Sequence, residues 1–201
     1  IVVNDLGNSG TGGPQQDVKQ IPISIVALND APVITVPGTL DATEDQPLTI
    51  DGTDAISIAD VDLSEPTGAG TGTGLITVVI AAENGTLDVD ESAATGVTVT
   101  DDGTSSVTLH GNLDDINDIL EAGVVYQGLP DWNGPDVVTV SADDLGNWPP
   151  PPQTASRPFT VNVAAVNDAP ELTAPESVTA GEDTPLDMSG FGLAGVDSDM
   201  T

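Results

Sequence analysis

Apolar residues alternate with polar or small ones through much of the chain, at the period of two that belongs to strands with one buried face. Ile76, Val78, Ile80 and Ala82 form such a series, and Leu87 with Val89, Val107 with Leu109, Val138 with Val140, and Phe159 with Val161 and Val163 repeat it. Clusters of Gly, Asn and Asp separate these short runs of Val, Ile, Leu and Thr, as turns separate strands. Asn84-Gly85, between residues 76–81 and 86–89, and Asp102-Gly103, between residues 97–100 and 107–110, predict two hairpins whose tight turns need positive φ. Residues 137–142 and 159–166 predict a last hairpin, and residues 20–28 repeat its final strand, with Pro22 and Pro158 marking an edge or a bulge. The period changes once. Leu113, Ile116, Ile119 and Leu120 share one face of a helix that Asn112 caps and whose first turn holds Asp114 and Asp115. The pattern predicts an all-β sandwich with one short helix closing a side.

The chain also repeats itself. Asn29-Asp30-Ala31-Pro32 returns as Asn167-Asp168-Ala169-Pro170, and Glu44-Asp45-Gln46-Pro47-Leu48 as Glu182-Asp183-Thr184-Pro185-Leu186, each 138 positions further on. Asp5-Leu6-Gly7-Asn8 matches Asp144-Leu145-Gly146-Asn147, and Asp60-x-Asp62 matches Asp197-x-Asp199, within one residue of that displacement. A tandem array follows: residues 1–28 are the C-terminal part of one repeat, 29–166 a complete repeat, and 167–201 the N-terminal part of the next. The chain opens at Ile1 inside a strand-like run and stops soon after Asp199, so it reads as part of something longer.

Charge narrows the chemistry. Against 33 acidic residues stand two basic ones, Lys19 and Arg157, for a net charge of −31. Nucleic acids and anionic membranes need Lys and Arg clusters that are absent, and no apolar run approaches the roughly 20 residues of a membrane span. With no Cys and the single His110, thiol catalysis, zinc-thiolate sites and a choice of catalytic base disappear as well. With few aromatic residues to build a cleft, a hydrolase using paired carboxylates is disfavoured, and the chain is expected not to be an enzyme. A compact chain this acidic repels itself and is stabilised by cations, and the available donors are all oxygens, which points to Ca²⁺.

Of the 33 carboxylates, 25 are Asp, and the repeated landmarks lie at strand ends rather than along strand faces. A solvating, halophile-like surface accounts for such charge but not for its repetition. Asp60 and Asp62, two apart, fall on the same side if the segment is extended, and Pro32 stiffens the stretch between repeats. Trp132 reads as a core anchor and Trp148, before four prolines, as part of a stiff exposed loop. The Gly-Thr alternation at residues 68–74 reads as a flexible loop.

Asn29-Asp30-Ala31-Pro32 resembles the Asn-Asp-x-Pro linker of cadherin repeats, and still more the cadherin-like tandem repeats of giant bacterial (RTX-type) surface adhesins. Glu44-Asp45-Gln46-Pro47 is similar to the Glu-Asn-x-Pro segment of the first cadherin strand, Asp60-x-Asp62 to the Asp-x-Asp motif, and Ala142-Asp143-Asp144-Leu145-Gly146 to the Ala-x-Asp-x-Gly motif. Asp131 falls where the acidic residue of the Asp-Arg-Glu motif would fall, although the Arg is missing and Asn133 or Asp136 could take its place. The hairpins and helix between 64 and 128 resemble the insertion of the bacterial relatives, as does the Tyr126-to-Gly134 stretch. The resemblance implies a multi-calcium site at each junction. Asp30, Asp60, Asp62, Asp144 and the backbone carbonyl of Asn29 would serve the first. Glu44 and Asp131 would serve the second, meeting Asn167, Asp168, Asp197 and Asp199. Asp5 would belong to a junction before these, and Glu182, the counterpart of Glu44, completes the candidate set.

These expectations amount to a Ca²⁺-stiffened extender or adhesion module of a long extracellular protein on a bacterial surface, whose partners are neighbouring repeats of the same chain. Two other readings use the same sandwich: a subunit of an extracellular filament or sheath, associating with other copies, and an adhesin head that binds a glycan through Ca²⁺ or Trp148.

Overall fold

In a computed structural model, which describes residues 1–7, 10–26, 28–64, 74–146, 150–168, 171–173, 176–187 and 192–194, the alternating segments become strands. In chain order these are β1 (Val2–Asn4), β2 (Gln16–Val18), β3 (Val33–Thr35), β4 (Leu40–Thr43), β5 (Leu48–Ile50), β6 (Ser57–Ala59), β7 (Leu75–Ala82) and β8 (Gly85–Val89). Then come β9 (Thr98–Thr100), β10 (Ser106–Asn112), β11 (Val124–Gly128), β12 (Gly134–Asp143), β13 (Thr154–Ala164), β14 (Glu171–Thr173) and β15 (Gly192–Ala194). A short helix α1 (Val61–Ser64) follows β6, and α2 (Leu113–Ala122) lies between β10 and β11. Residues 65–73, Trp148, Asp197 and Asp199 lie outside the described residues, and with them nearly all of the Gly-Thr loop.

The strands form a sandwich. One sheet has six strands in the order β4-β13-β12-β7-β10-β9, and the facing one has three, β5-β11-β8. All pairings are antiparallel except β13 with β4. Between the sheets lies one hydrophobic cluster: Ile76, Val78 and Ile80 of β7 and Val138 and Val140 of β12 meet Ile50, Leu87, Val124 and Tyr126 opposite. Each is fully withdrawn from water, which at about 1.5–3 kcal/mol per large side chain offsets the ordering of a chain with so much repulsion. Helix α2 fills one side with Leu113, Ile116, Ile119 and Leu120, the face its spacing predicts. Asn112 sits at its N-cap without a side-chain capping bond, since its amide instead donates to Asp115 Oδ2 (3.3 Å). Asn117 ties the helix to β6, accepting from Ile58 N and donating to Ile58 O, both at 2.9 Å. Trp132 packs against the core, half-buried.

Three local expectations need correction. Asn84-Gly85 is not a hairpin turn: β7 and β8 lie in different sheets, and the chain changes sheet there. The buried Asp136 carboxylate holds this corner, accepting from Glu83 N (3.2 Å), Asn84 N (3.0 Å) and the Tyr126 hydroxyl (2.8 Å). Gly85 does not have positive φ; it is glycine because a Cβ would overlap the Tyr126 ring. The hairpin around Asp102-Gly103 does form between β9 and β10, but with a longer loop. Gly103 N donates to Leu87 O and Leu87 N to Thr104 O, both at 2.8 Å, so the loop is pinned to β8. The described residues of 20–28, all but residue 27, form no strand: Ile21, Ile23, Ile25 and Leu28 are exposed, whereas Phe159, Val161 and Val163 at the corresponding places in β13 are buried. The difference is the ladder. The corresponding β13 positions are bonded to β12 and β4, and no described strand pairs with residues 20–28.

Local geometry recurs with the sequence. The β1-β2 pair mirrors the open end of β12-β13, and β14-β15 mirrors β3-β6. Leu6 and Leu145 have φ of 56° and 57°, and Asp45 and Asp183 have 60° and 63°.

Candidate functional site

The chain enters the sandwich through Asn29, only 8% exposed although it lies in a connecting segment. Its amide nitrogen donates to Asp144 Oδ2 at 2.7 Å and to Pro151 O at 3.0 Å. Its carbonyl oxygen Oδ1 is buried with no hydrogen-bond partner. Asp144, fully buried, follows β12 and uses Oδ1 to accept from Gly146 N and Gln153 N, both at 2.8 Å, which closes the turn after the strand. Asp5 repeats this arrangement with Gly7 N (2.9 Å) and Gln15 N (2.8 Å), and those two amides hold its carboxyl below the usual carboxylate range.

Asp60 and Asp62 do not alternate along an extended segment. Asp60 Oδ1 caps α1, accepting from Asp62 N (2.9 Å) and Leu63 N (3.3 Å), so Asp62 sits in the first helical turn. Asp62 Oδ2 in turn accepts from Asp30 N at 2.7 Å. Burial pushes the Asp60 carboxyl up, and repulsion from Asp62 and Asp144 adds to that shift. The structure therefore brings Asn29, Asp30, Asp60, Asp62 and Asp144 to one end of the sandwich.

The second group gathers at the exit from the repeat. Glu44, 2% exposed, accepts from Val166 N through Oε2 at 2.9 Å, while its own N–H donates to Ala164 O at 2.9 Å, fastening the last strand to the turn after β4. Desolvation raises the Asp168 carboxyl, with further contributions from Asp45, Asp131 and Glu44 around it. Asp131 stands at φ 57° in the turn before β12. Asn167 turns its amide onto Asp168 O at 3.1 Å. Asp45 joins this group although the motif comparison passed over it; its signal was the recurrence of Glu44-Asp45 as Glu182-Asp183. Glu182 itself is exposed in a turn closed by Thr184 N to Gly181 O (3.3 Å).

Among the described residues no group of three or more His, Cys, Asp or Glu side chains is arranged to hold a metal ion by itself. The first junction nevertheless suits a hard cation by the chemistry of its donors: carboxylate and amide oxygens only, carboxylates close enough to repel, and a buried acceptor, Asn29 Oδ1, lacking any donor.

The architecture makes this an all-β sandwich protein. No family model matches the chain, and no curated protein does. Among solved structures it is similar to a cohesin module from a Clostridium perfringens family 33 glycoside hydrolase, at 10% identity over 69% of this chain and 100% of that one, TM-score 0.35. It is also similar to AggA, the major subunit of aggregative adherence fimbriae type I from Escherichia coli, at 11% identity over 70% and 100%, TM-score 0.33. A nucleoside hydrolase-related protein of Saccharophagus degradans associated with carbohydrate metabolism matches at 16% identity over 68% of this chain and 26% of its own length, TM-score 0.30. These likenesses are distant.

Proposed function

We propose that this chain is a cadherin-like extender module of a long extracellular bacterial surface protein, stiffened by Ca²⁺ at the junctions between tandem repeats. The observation that carries the proposal is Asn29: a linker side chain buried at the end of the sandwich, bonded to Asp144 across 115 positions of sequence and left with an unsatisfied buried oxygen. Asp30, Asp60, Asp62, Asp144 and Asn29 would hold an ion at the first junction, and Glu44, Asp131 and Asp168, with Asp45, at the second. A bound Ca²⁺ supplies positive charge and a coordination shell shared between linker and sandwich. The residues do the rest: Asp62 fixes the backbone of Asp30, Asn29 ties the linker to the turn after β12, and Glu44 ties the outgoing linker to the turn after β4. The chain's role is then mechanical, setting the angle between successive sandwiches rather than transforming a substrate.

Calorimetric titration of the chain with Ca²⁺, with and without Asp30→Ala, tests this. Heat of binding that Asp30→Ala diminishes supports the reading, and no heat in the native chain overturns it. Small-angle scattering of several linked repeats tests the mechanics: the maximum dimension should grow almost linearly with repeat number in Ca²⁺ and nearer its square root in chelator.

A further inference from the structure

In a chain of net charge −31, the outer face of the six-stranded sheet carries few charges: Asp41 on the edge strand β4, in register with Asn162, and Asp143 at the rim. The strand register places Thr100, Thr108, Val79, Ser141 and Ser156 side by side across β9, β10, β7, β12 and β13. Rows on either side add Thr77, Ala81, Thr139 and His110. Over these five strands the outward positions carry one carboxylate, Asp143, at the rim. All of these residues are half-buried or exposed. Several hydroxyls already find partners on the face: Ser141 Oγ lies 3.1 Å from Ser156 Oγ, and Thr77 Oγ1 lies 3.0 Å from His110 Nδ1. Covering such groups costs less than covering unpaired ones.

We infer that two copies of this chain associate laterally, face to face, through this outer sheet surface. Charge selects the occupant. Two copies repel wherever their carboxylates meet, and this face lets them approach while those carboxylates point away. Small, flat side chains suit the roughly 10 Å separation of packed sheets. Among the described residues the face has no aromatic platform for a sugar ring, since Tyr126 and Phe159 are buried and Trp132 packs on the core. Five strands about 4.8 Å apart, three rows deep, cover about 500 Å² per copy, so a pair buries about 1,000 Å², at the low end for a specific interface. One pair is therefore weak, and repeats in line multiply it. The inference stands whether or not the junctions hold an ion; only the multiplication rests on the tandem reading.

Sedimentation velocity of the chain over micromolar to millimolar concentrations, at low and at molar sodium chloride, in Ca²⁺ and in chelator, decides it. The native chain should move towards a dimer with concentration, more so at high salt, in both ion conditions. Thr108→Glu with Thr139→Glu puts two carboxylates on the face of each copy and should weaken association at least about tenfold. Thr53→Glu, in the exposed 3₁₀ turn Gly52–Asp54, should leave it unchanged. If circular dichroism shows the double variant unfolded, Thr100→Glu with Ser156→Glu, at exposed positions of the same face, replaces it. A native chain that stays monomeric throughout, or variants that associate as well as native, overturns the inference. So does a monomeric chain whose binding to neutral polysaccharides on a glycan array is lost in the double variant. Failure of the calcium reading would appear separately, as absent heat in the ion titration.

Discussion

Replacing Tyr126 by Phe removes one oxygen from the corner where the chain crosses between sheets, and the consequence can be worked out. The phenol and Asp136 are both fully buried, and the hydroxyl donates to Asp136 Oδ2 at 2.8 Å. A hydrogen bond to a charged group contributes about 1.5–3 kcal/mol. Asp136 keeps Asn84 N at 3.0 Å and Glu83 N at 3.2 Å, so the lower end applies: about 1.5 kcal/mol, or a melting temperature about 3–6 °C lower. Asp136→Ala instead removes the acceptor of Asn84 N, Asn84 Nδ2 and the Tyr126 hydroxyl, while Glu83 N keeps Val137 O at 3.3 Å, and should cost about 3–5 kcal/mol. The pH dependence has a definite sign. Burial, then the hydrogen bond and charge of Asp136, raise the phenol above its ordinary value. A group raised in the folded state lends stability that is complete below its unfolded value, near 10 for tyrosine, and is lost as pH climbs through the raised one. The native protein should therefore lose stability above about pH 10, and Tyr126→Phe should remove that part of the slope. Because Tyr126 is the single tyrosine, tyrosinate absorbance reports it alone. Tyrosinate should appear together with the loss of far-ultraviolet dichroism. A titration centred near the ordinary value in a protein still folded would refute the reasoning.

Chelation should lower the melting temperature, because ions held only by the folded state stabilise it by mass action; identical melts with and without chelator contradict the junction reading. Asp60→Asn keeps a competent helix cap but removes a charge raised by burial and by repulsion from Asp62 and Asp144, so it should leave the protein as stable or more stable in chelator, yet reduce the gain on adding Ca²⁺. Equal effects in both conditions, measured by calorimetric melts, would deny Asp60 a role in ion binding. Gly85→Ala should destabilise by more than about 3 kcal/mol, since the new methyl meets the Tyr126 ring with Gln127 O behind it, and a near-native melt would show that the corner yields. Asn117→Ala should cost about 2 kcal/mol by breaking both bonds to Ile58, and amide exchange at Ile58 should rise with it.

What the sequence made legible follows how local each signal was. The buried faces of β7, β12 and α2 are written at periods of two and 3.6, and the structure keeps them. Pairing is not local. Asn84-Gly85 has the composition of a tight hairpin, but its glycine answers to a tyrosine 41 positions away and its neighbours' amides to Asp136. Residues 20–28 have a strand's alternation, but a strand exists only where another chain segment offers a ladder. Asp60-x-Asp62 misled for a related reason: spacing by two implies a common side only in extended chain, and Asp60 starts a helix. At the junctions, repetition pointed to Asn29, Asp30, Asp60 and Asp144. It could not show that the Asn29 side chain reaches Asp144 and Pro151, because that contact depends on how the ends of β12 and β13 meet the linker.

The junction carboxylates also organise the backbone. Asp144 Oδ1 closes the turn between β12 and β13, Asp60 Oδ1 caps α1, and Glu44 Oε2 holds Val166 N. A carboxylate that merely decorated a surface could rotate to lower its repulsion; these cannot without opening a turn or a helix end. Their charges are consequently held close by the fold, and that repulsion adds to the upward shift that desolvation gives Asp60 and Asp168. The same bonds transmit in the other direction. A cation that relieved the repulsion among Asp60, Asp62 and Asp144 would load the turn after β12, and one at Glu44 would load the end of β13, the two strands that run most continuously through the large sheet. On the proposed reading, stiffness at a junction and order within the sandwich are coupled through single side chains. On this account Asp144→Ala should loosen the Gly146–Gln153 turn and release Asn29 together, even before any ion is added.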